Sequence, residues 1–230
     1  MMDKIKQAMI EFPANDVTVP AFLAQPEQAG SFPGIVLIQE WWGLVDHIKD
    51  VAERFARQGF VAMAPDLYHG KPAFEPDEAR KRAMELDRDR AVLEIIAAVR
   101  YVRGLDSVSP KKIGVVGWCM GGGLAISTAA NSSDLGATVA FYGLPRDFSQ
   151  LPPIQAPLLG LFAEHDHGIT PETLHAFDQE LEKQGVTHEF HTYPGTEHAF
   201  FNDSRPHIYN LQAAQDAWER TLEWFRKYLK

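Results

Sequence analysis

The chain has 230 residues, of which 45% are hydrophobic and 23% charged, so it can bury a full hydrophobic core. Its net charge of −9 opposes binding to nucleic acids and to anionic membrane surfaces. No apolar run approaches the ~18 residues of a membrane span, and residues 1–7 carry charges without an apolar signal-peptide core behind them. We therefore expect a cytoplasmic protein that binds neither nucleic acid nor membrane.

Strands and helices are predicted to alternate along the chain. Residues 5–12 and 17–24, joined at Asn15-Asp16, predict an antiparallel hairpin at the edge of a sheet. The unalternated apolar run 34–38 predicts a central parallel strand that is buried on both faces. A helix follows and stops at Gly59. Further strands are predicted over residues 60–64, 113–116, 138–142, 158–162 and 187–193.

The remaining apolar periodicities predict helices between these strands. Residues 76–103 form a long helical segment that is expected to break near Asp87, and a further helix runs to about Ala130. Thr170-Pro171 predicts a helix start, and the last helix carries an apolar stripe over residues 211–229. This alternation predicts a mostly parallel sheet with helices on both faces, and no repeat or change of composition divides it. We therefore expect one α/β domain over residues 1–230.

The segment Gly117-Trp118-Cys119-Met120-Gly121 lies between an apolar strand and a small-residue helix. It matches the nucleophile-elbow pattern GxSxG, with the only cysteine of the chain in place of serine. One cysteine cannot form an internal disulfide, which fits a reducing compartment. The N-H groups at the following helix start favour a thiolate. The pattern predicts that Cys119 is a nucleophile, whereas the alternative interpretation is a buried cysteine that only packs.

Two further reactive residues follow strands later in the chain, where the catalytic groups of parallel sheets gather. The order nucleophile, acid, histidine is that of the α/β-hydrolases. We therefore predict that Asp166 orients the base and that His198 is the general base. Glu164 is the alternative acid, and the alternative bases inside the predicted strand are His188 and His191.

The other histidines suggest no metal site. His165 and His167 alternate as metal ligands do, but such a site needs three or four converging ligands and no other cluster is evident. We therefore predict no metal and no cofactor. Surface positions are expected for His47, His69, His175 and His207.

Over nearly its whole length the chain resembles the dienelactone hydrolases, which are α/β-hydrolases with a Cys-His-Asp triad. The resemblance rests on residues 39–40, 65–68 and 117–122, the loop with Asp166, and residues 195–200. It implies hydrolysis of an ester or lactone through a thioester, with Cys119 attacking, His198 transferring protons and Asp166 orienting the imidazole. It also implies an oxyanion hole formed by the backbone N-H groups of Met120 and Trp41.

The resemblance gives Glu40 a further role, in which its carboxylate pairs with the resting thiol and substrate entry displaces it. A carboxylate against the sulfur disfavours a second negative charge there and would limit oxidation of the thiol. The alternative interpretation is that Glu40 caps the helix that follows it.

The sequence departs from the family pattern at the substrate carboxylate. Relatives that process dienelactone hold this group with two arginines, one in the helical segment after residues 65–68 and one four residues beyond the histidine. Arg80 and Arg82 are candidates for the first, but the second position is Asn202, and the nearest arginine is Arg205. An amide cannot replace a forked guanidinium. Aromatic residues near the site predict a pocket for a bulky or aromatic ester, namely Trp41, Trp42, Trp118, Tyr68, Phe200 and Phe201.

Two other functions stay open at this point. The chain could be a general carboxylesterase for short acyl or aryl esters if Asn202 has removed carboxylate recognition. It could also be a non-enzymatic protein in which Cys119 is a redox-sensitive thiol or the fold binds a partner. We expect a small-molecule ester or lactone as the substrate, and a monomer or a weak homo-oligomer.

Overall fold

The computed structural model describes residues 4–149 and 151–230, so the first three residues of the charged N-terminal segment lie outside it. Within these ranges eight strands and six helices alternate. The strands are β1 (Ile5–Ala14), β2 (Val17–Pro26), β3 (Gly34–Ile38), β4 (Val61–Pro65), β5 (Ile113–Trp118), β6 (Leu135–Phe141), β7 (Leu158–His165) and β8 (His188–Glu197). The helices are α1 (Asp46–Arg57), α2 (Pro76–Glu85), α3 (Arg88–Gly104), α4 (Met120–Asn131), α5 (Pro171–Gln184) and α6 (Leu211–Tyr228).

The strands form one sheet in the order β1-β2-β4-β3-β5-β6-β7-β8. The predicted hairpin of β1 and β2 lies at one edge and pairs antiparallel with β4, whereas the strands from β4 to β8 pair in parallel. The strand order reverses at β3, because the chain runs from β3 to β4 on one side and later to β5 on the other. In open parallel sheets, ligands bind at the carboxyl ends of the strands beside such a reversal.

Helices cover both faces of the sheet, as predicted. Successive side chains of β3 point to opposite faces, so Val36 and Ile38 join the hydrophobic cluster with α3 and α4, while Ile35 and Leu37 join the cluster with α1 and α6. Every residue of β3, β4 and β5 is buried. The strands that the sequence shows as continuous apolar runs are therefore the central strands of the sheet, which are buried on both faces.

The predicted break in the long helical segment is confirmed at Asp87, which separates α2 from α3. Its side chain accepts a hydrogen bond of 3.1 Å from the backbone N-H of Arg90, which caps α3. Thr170 caps α5 in the same way, and Gly185 ends that helix with φ of 70°. No helix in the described ranges is both long and apolar enough to cross a membrane.

His47 contradicts the prediction of a surface position, because its imidazole is only 1% exposed. Its Nδ1 atom lies 3.0 Å from the carboxylate of Asp203, which also contacts Arg54. Asp203 is 156 positions away in the sequence, so no local pattern signals the pair. His69, His175 and His207 are exposed, as expected.

Candidate active site

Cys119 occupies the tight turn between β5 and α4. Its φ of 56° and ψ of −119° lie in a region that non-glycine residues rarely adopt. Its backbone N-H donates to the carbonyl of Phe141 at 3.0 Å, and its carbonyl accepts from the N-H of Gly122 at 3.0 Å. The turn therefore fixes the thiol at the N-terminus of α4, where the helix dipole favours negative charge.

Glycines allow the backbone segments around this turn to touch. A Cβ atom on Gly117 would lie 2.0 Å from the carbonyl oxygen of Gly121. A Cβ atom on Gly121 would lie 2.4 Å from the carbonyl oxygen of Ile38 and 2.5 Å from that of Gln39. These oxygens belong to the end of β3 and the turn beyond it, so Gly121 holds that turn directly against the start of α4.

Asp166 and His198 follow the neighbouring strands β7 and β8. The register between these strands shifts after Ala163, and His165 then pairs with Glu197, so both strands extend beyond their predicted ends to the site. The Oδ2 atom of Asp166 lies 2.6 Å from Nδ1 of His198, and its Oδ1 accepts from the backbone N-H of Gly168 at 2.9 Å. The buried carboxylate therefore fixes the imidazole through Nδ1 and leaves Nε2 for chemistry.

The pKa of His198 reflects this arrangement. Burial by itself lowers the pKa of the imidazole, but the hydrogen bonds to Asp166 and Cys119, together with the negative charges of both residues, raise it to about 10. The raised pKa means that the imidazolium form of His198 is favoured at neutral pH.

The alternative acid, Glu164, and one alternative base, His188, have other partners. Glu164 is exposed and accepts from the backbone N-H of Gly195 at 2.8 Å. His188 bonds to Asp178 at 2.9 Å, between β8 and α5. No group of three or more His, Cys, Asp or Glu residues in the described part of the chain could hold a metal ion.

Tyr68 ties together the two residues proposed for the oxyanion hole. Its hydroxyl lies 3.0 Å from the carbonyl oxygen of Trp41, to which it donates, and 3.8 Å from Sδ of Met120. Burial first, and then the negative charge of Cys119, raise the pKa of this phenol, so it stays protonated as a donor. Tyr68 therefore supports the site from behind the cavity, rather than lining it as the sequence suggested.

A cavity of about 890 Å³ opens above Cys119. Four arginines from separate segments line it, namely Arg80, Arg88, Arg146 and Arg205. Its apolar wall includes Trp41, Ala83, Met120, Tyr142, Leu144, Ile169 and Ile208. The sequence prediction found Arg80, Arg205 and Trp41 but missed Arg88, Arg146 and Tyr142; only Arg88, directly after the helix break at Asp87, had a sequence signal.

Several residues predicted to bind substrate lie elsewhere. Arg82 is engaged in a 2.6 Å ion pair with Glu78 and is not part of the cavity wall. Trp42 stacks beneath Arg205, whose guanidinium carbon lies 5.8 Å from the ring centroid, so it acts on the cavity through that arginine. Phe200 is 0% exposed and packs against the rings of Tyr142 and Tyr193, so it is a core residue. Trp118 and Phe201 are buried in the same hydrophobic cluster.

Glu40 is buried beside the site and has partners that the sequence did not reveal. Its Oε2 accepts from Nδ2 of Asn202 at 2.6 Å, and its Oε1 accepts from the hydroxyl of Tyr142 at 3.4 Å. Glu40 and Cys119 both line a smaller cavity of about 160 Å³. The N-cap of α1 is Val45 and has no side-chain cap bond, so the alternative capping role of Glu40 is wrong.

Known proteins match this chain along its length. The model of the dienelactone hydrolase family matches residues 19–229. The chain belongs to the dienelactone hydrolase family. The protein usf of Aquifex pyrophilus is 38% identical over 96% of this chain and 98% of its own length. A relative from Aquifex aeolicus, provisionally named a carboxymethylenebutenolidase, is 36% identical over 96% of this chain and 99% of its own length.

A solved structure agrees with this assignment. The crystal structure of a Klebsiella pneumoniae protein, provisionally named a dienelactone hydrolase, superposes with a TM-score of 0.89 and 27% identity, covering 98% of this chain and 100% of that one. The resemblance seen in the sequence and the predicted α/β-hydrolase fold are therefore confirmed. This member of the dienelactone hydrolase family is a carboxylic ester hydrolase that acts on small esters or lactones.

Proposed function

We propose that the chain hydrolyses a small ester or lactone that carries a negative charge, through a thioester on Cys119. The observation that carries the chemistry is the contact of 2.6 Å between Asp166 and His198, beside the elbow that presents Cys119. The raised pKa of His198 supports the same assignment, because the charge of Cys119 is one of its causes.

In the proposed mechanism, the sulfur of Cys119 attacks the carbonyl carbon to form a tetrahedral oxyanion. The N-H groups of Met120 and Trp41 stabilise this charge, and the imidazolium of His198 gives its proton to the leaving alkoxide as the C-O bond breaks. Neutral His198 then removes a proton from water, which attacks the thioester, and the sulfur leaves as the acid forms. Asp166 holds the imidazole throughout.

The charge of the cavity favours an anionic substrate. None of the four lining arginines takes part in an ion pair with a described residue, and the lining acids are Asp166, which holds His198, and Glu197. Burial lowers the pKa of Arg88, and the positive charge of Arg146 lowers it further. An anionic group between these two guanidinium groups would relieve their repulsion. Carboxylate recognition therefore does not depend on an arginine at position 202.

The arginines provide the first test. We expect Arg88→Gln and Arg146→Gln each to raise KM for the 4-nitrophenyl monoester of succinic acid by about 10- to 100-fold, the range of a charge-assisted hydrogen bond. Neutral 4-nitrophenyl acetate should be hydrolysed with nearly unchanged kinetics. Initial rates measured with both esters, before and after alkylation with iodoacetamide, provide the comparison.

Arg100→Gln is the matched control, because this arginine is on the surface of α3 and has only a 4.0 Å contact with Asp134. If neither arginine substitution changed KM for either ester, the general carboxylesterase would be favoured. No turnover of either ester would favour a non-enzymatic thiol.

Gly121→Ala tests whether the two proposed oxyanion donors depend on the contact between their segments. The added methyl group would collide with the carbonyl oxygens of Ile38 and Gln39 and move the turn that carries Trp41. We expect kcat to fall by about 10²- to 10³-fold, the usual effect of losing one oxyanion donor. Destabilisation of roughly 1–3 kcal/mol should accompany it and can be measured by urea unfolding.

Gly104→Ala is the control for this substitution, because a Cβ atom there would meet nothing within 4 Å. Its activity and stability should stay near the original values. If Gly121→Ala folded with unchanged kcat, the proposed oxyanion geometry would be wrong.

A further inference from the structure

Glu40 is only 2% exposed, yet the two side chains that donate to its carboxylate are neutral. Asn202 donates to one of its oxygens at 2.6 Å and Tyr142 to the other at 3.4 Å. No hydrogen bond joins Glu40 to the sulfur of Cys119 within the described residues, although both line the same small cavity. Glu40 is therefore held by its neighbours rather than by the thiol.

The contact between Asn202 and Glu40 has a fixed polarity. Asn202 is 1% exposed, and its Oδ1 accepts from the backbone N-H of Ser204 at 3.1 Å and from the hydroxyl of Ser204 at 2.5 Å. A backbone N-H can only donate, so Oδ1 must face Ser204 and Nδ2 must face Glu40. The backbone N-H of Asn202 also donates to the carbonyl of Ala199 at 2.9 Å. These bonds hold the side chain of Asn202 with its Nδ2 atom directed at Glu40.

The direction of the Glu40 carboxylate matters because the proposed reaction places negative charge on the sulfur of Cys119. A carboxylate that turned toward the sulfur would place two like charges together and oppose thiolate formation. Asn202 and Tyr142 each bond to one carboxylate oxygen of Glu40, whereas the thiol of Cys119 bonds to His198. We propose that Asn202 is a positioning residue that holds Glu40 off Cys119, so that the thiolate forms beside His198 before any substrate arrives.

Other charged and titratable groups also face this cluster and are left unchanged when Asn202 and Glu40 are substituted. They are Tyr142 after β6, His198 with Asp166 behind it, Tyr68 after β4, Arg88 at the start of α3 and Arg205 in the smaller cavity. Burial and then the charge of Glu40 raise the pKa of Tyr142, so its hydroxyl remains a donor to Glu40. Of all these groups, Asn202 is the neutral donor with the shorter contact to Glu40.

Alkylation of the thiol tests the proposal without any ester. Cys119 is the only cysteine, so the rate of reaction with iodoacetamide from pH 5 to 10 reports on this sulfur alone. We expect Asn202→Ala to free Glu40, lower the rate at pH 7 by about tenfold and move the profile to higher pH, because one like charge has about this effect on an ionisation equilibrium. Adding Glu40→Gln, which keeps the shape but removes the charge, should restore the rate.

This double-variant comparison separates positioning from general loss of structure. The proposal would be overturned if Asn202→Ala did not slow alkylation in the original chain. It would also be overturned if Asn202→Ala slowed alkylation equally in the original chain and in the Glu40→Gln variant. Asn131→Ala, which removes an exposed amide that bonds to Ser127, is the matched control and should keep the original profile. If Asn202→Ala does not fold, Tyr142→Phe removes the longer donor and should give a smaller shift that Glu40→Gln also abolishes; no such shift would contradict the proposal.

The inference uses Cys119 as the proposed nucleophile but does not depend on ester turnover. If alkylation followed the expected profiles but no ester were hydrolysed, the role of Asn202 would be kept and the proposed function rejected. The reverse combination, normal hydrolysis with an alkylation profile that ignores Asn202, would reject this inference alone.

Discussion

Replacing Cys119 by alanine should lower kcat for ester hydrolysis by about 10⁴-fold or more, because the nucleophile of a triad acts as a unit with its base. The φ of 56° at this position is as strained for alanine as for cysteine, so the fold should be retained. Stopped assays with 4-nitrophenyl acetate measure the loss, and thermal unfolding checks the fold.

Cys119→Ser separates nucleophilicity from the presence of a hydroxyl or thiol. Serine fits the elbow pattern, but its hydroxyl is a weaker nucleophile than a thiol, so we expect partial activity well below the original. Full activity of Cys119→Ala would show that hydrolysis takes place elsewhere and would reject the thioester.

Asp166→Asn should lower kcat at neutral pH by about 10⁴-fold, the effect known for this change in a serine protease triad. The amide can donate toward Nδ1 of His198 and so stabilise the wrong tautomer, although the distance of 2.6 Å could be kept. The substitution also removes a hydrogen bond and a charge that raise the pKa of His198, so this pKa should fall below about 10. NMR titration of the imidazole measures the change.

The same substitution should alter how stability depends on pH. The folded-state pKa of His198, about 10, lies above the ordinary value of ~6.5. Stabilisation from its imidazolium is therefore complete below about pH 6.5 and is lost as the pH rises through about 10. Asp166→Asn should reduce this loss, as measured by thermal unfolding across the range.

Glu164→Gln is the control for Asp166→Asn, because Glu164 is an exposed neighbour that bonds to the backbone of Gly195. We expect its kcat to change by less than about threefold. A greater loss in Glu164→Gln than in Asp166→Asn would reverse the assignment of the orienting acid.

Features that depend on neighbouring residues were predicted well from the sequence. The apolar run of β3, the break at Asp87 and the glycines around Cys119 each have local causes, namely burial, capping and steric room. The order of strands along the chain then located Asp166 and His198 without contact information, because the carboxyl ends of parallel strands lie at one edge of the sheet.

Features that depend on distant partners could not be predicted. Glu40 and Asn202 are 162 positions apart, and His47 and Asp203 are 156 apart. The direction of a side chain at an element end was also hidden, since His198 faces the cavity but Phe200, two residues later, enters the core. No sequence pattern marks Arg146, which lines the cavity because the loop after β6 lies beside the site.

The order of strands places the proposed catalytic residues in parts of the sheet that differ in local stability. Cys119 follows β5, which has paired strands on both sides, whereas His198 follows β8, the outermost strand, which pairs with β7 alone among the described strands. Boundary strands have fewer bonds to break and exchange their amide hydrogens sooner than interior ones. On heating, β8 should therefore fray and displace His198 while β5 and Cys119 are still folded. Inactivation should then begin by local fraying, at a lower temperature than global unfolding.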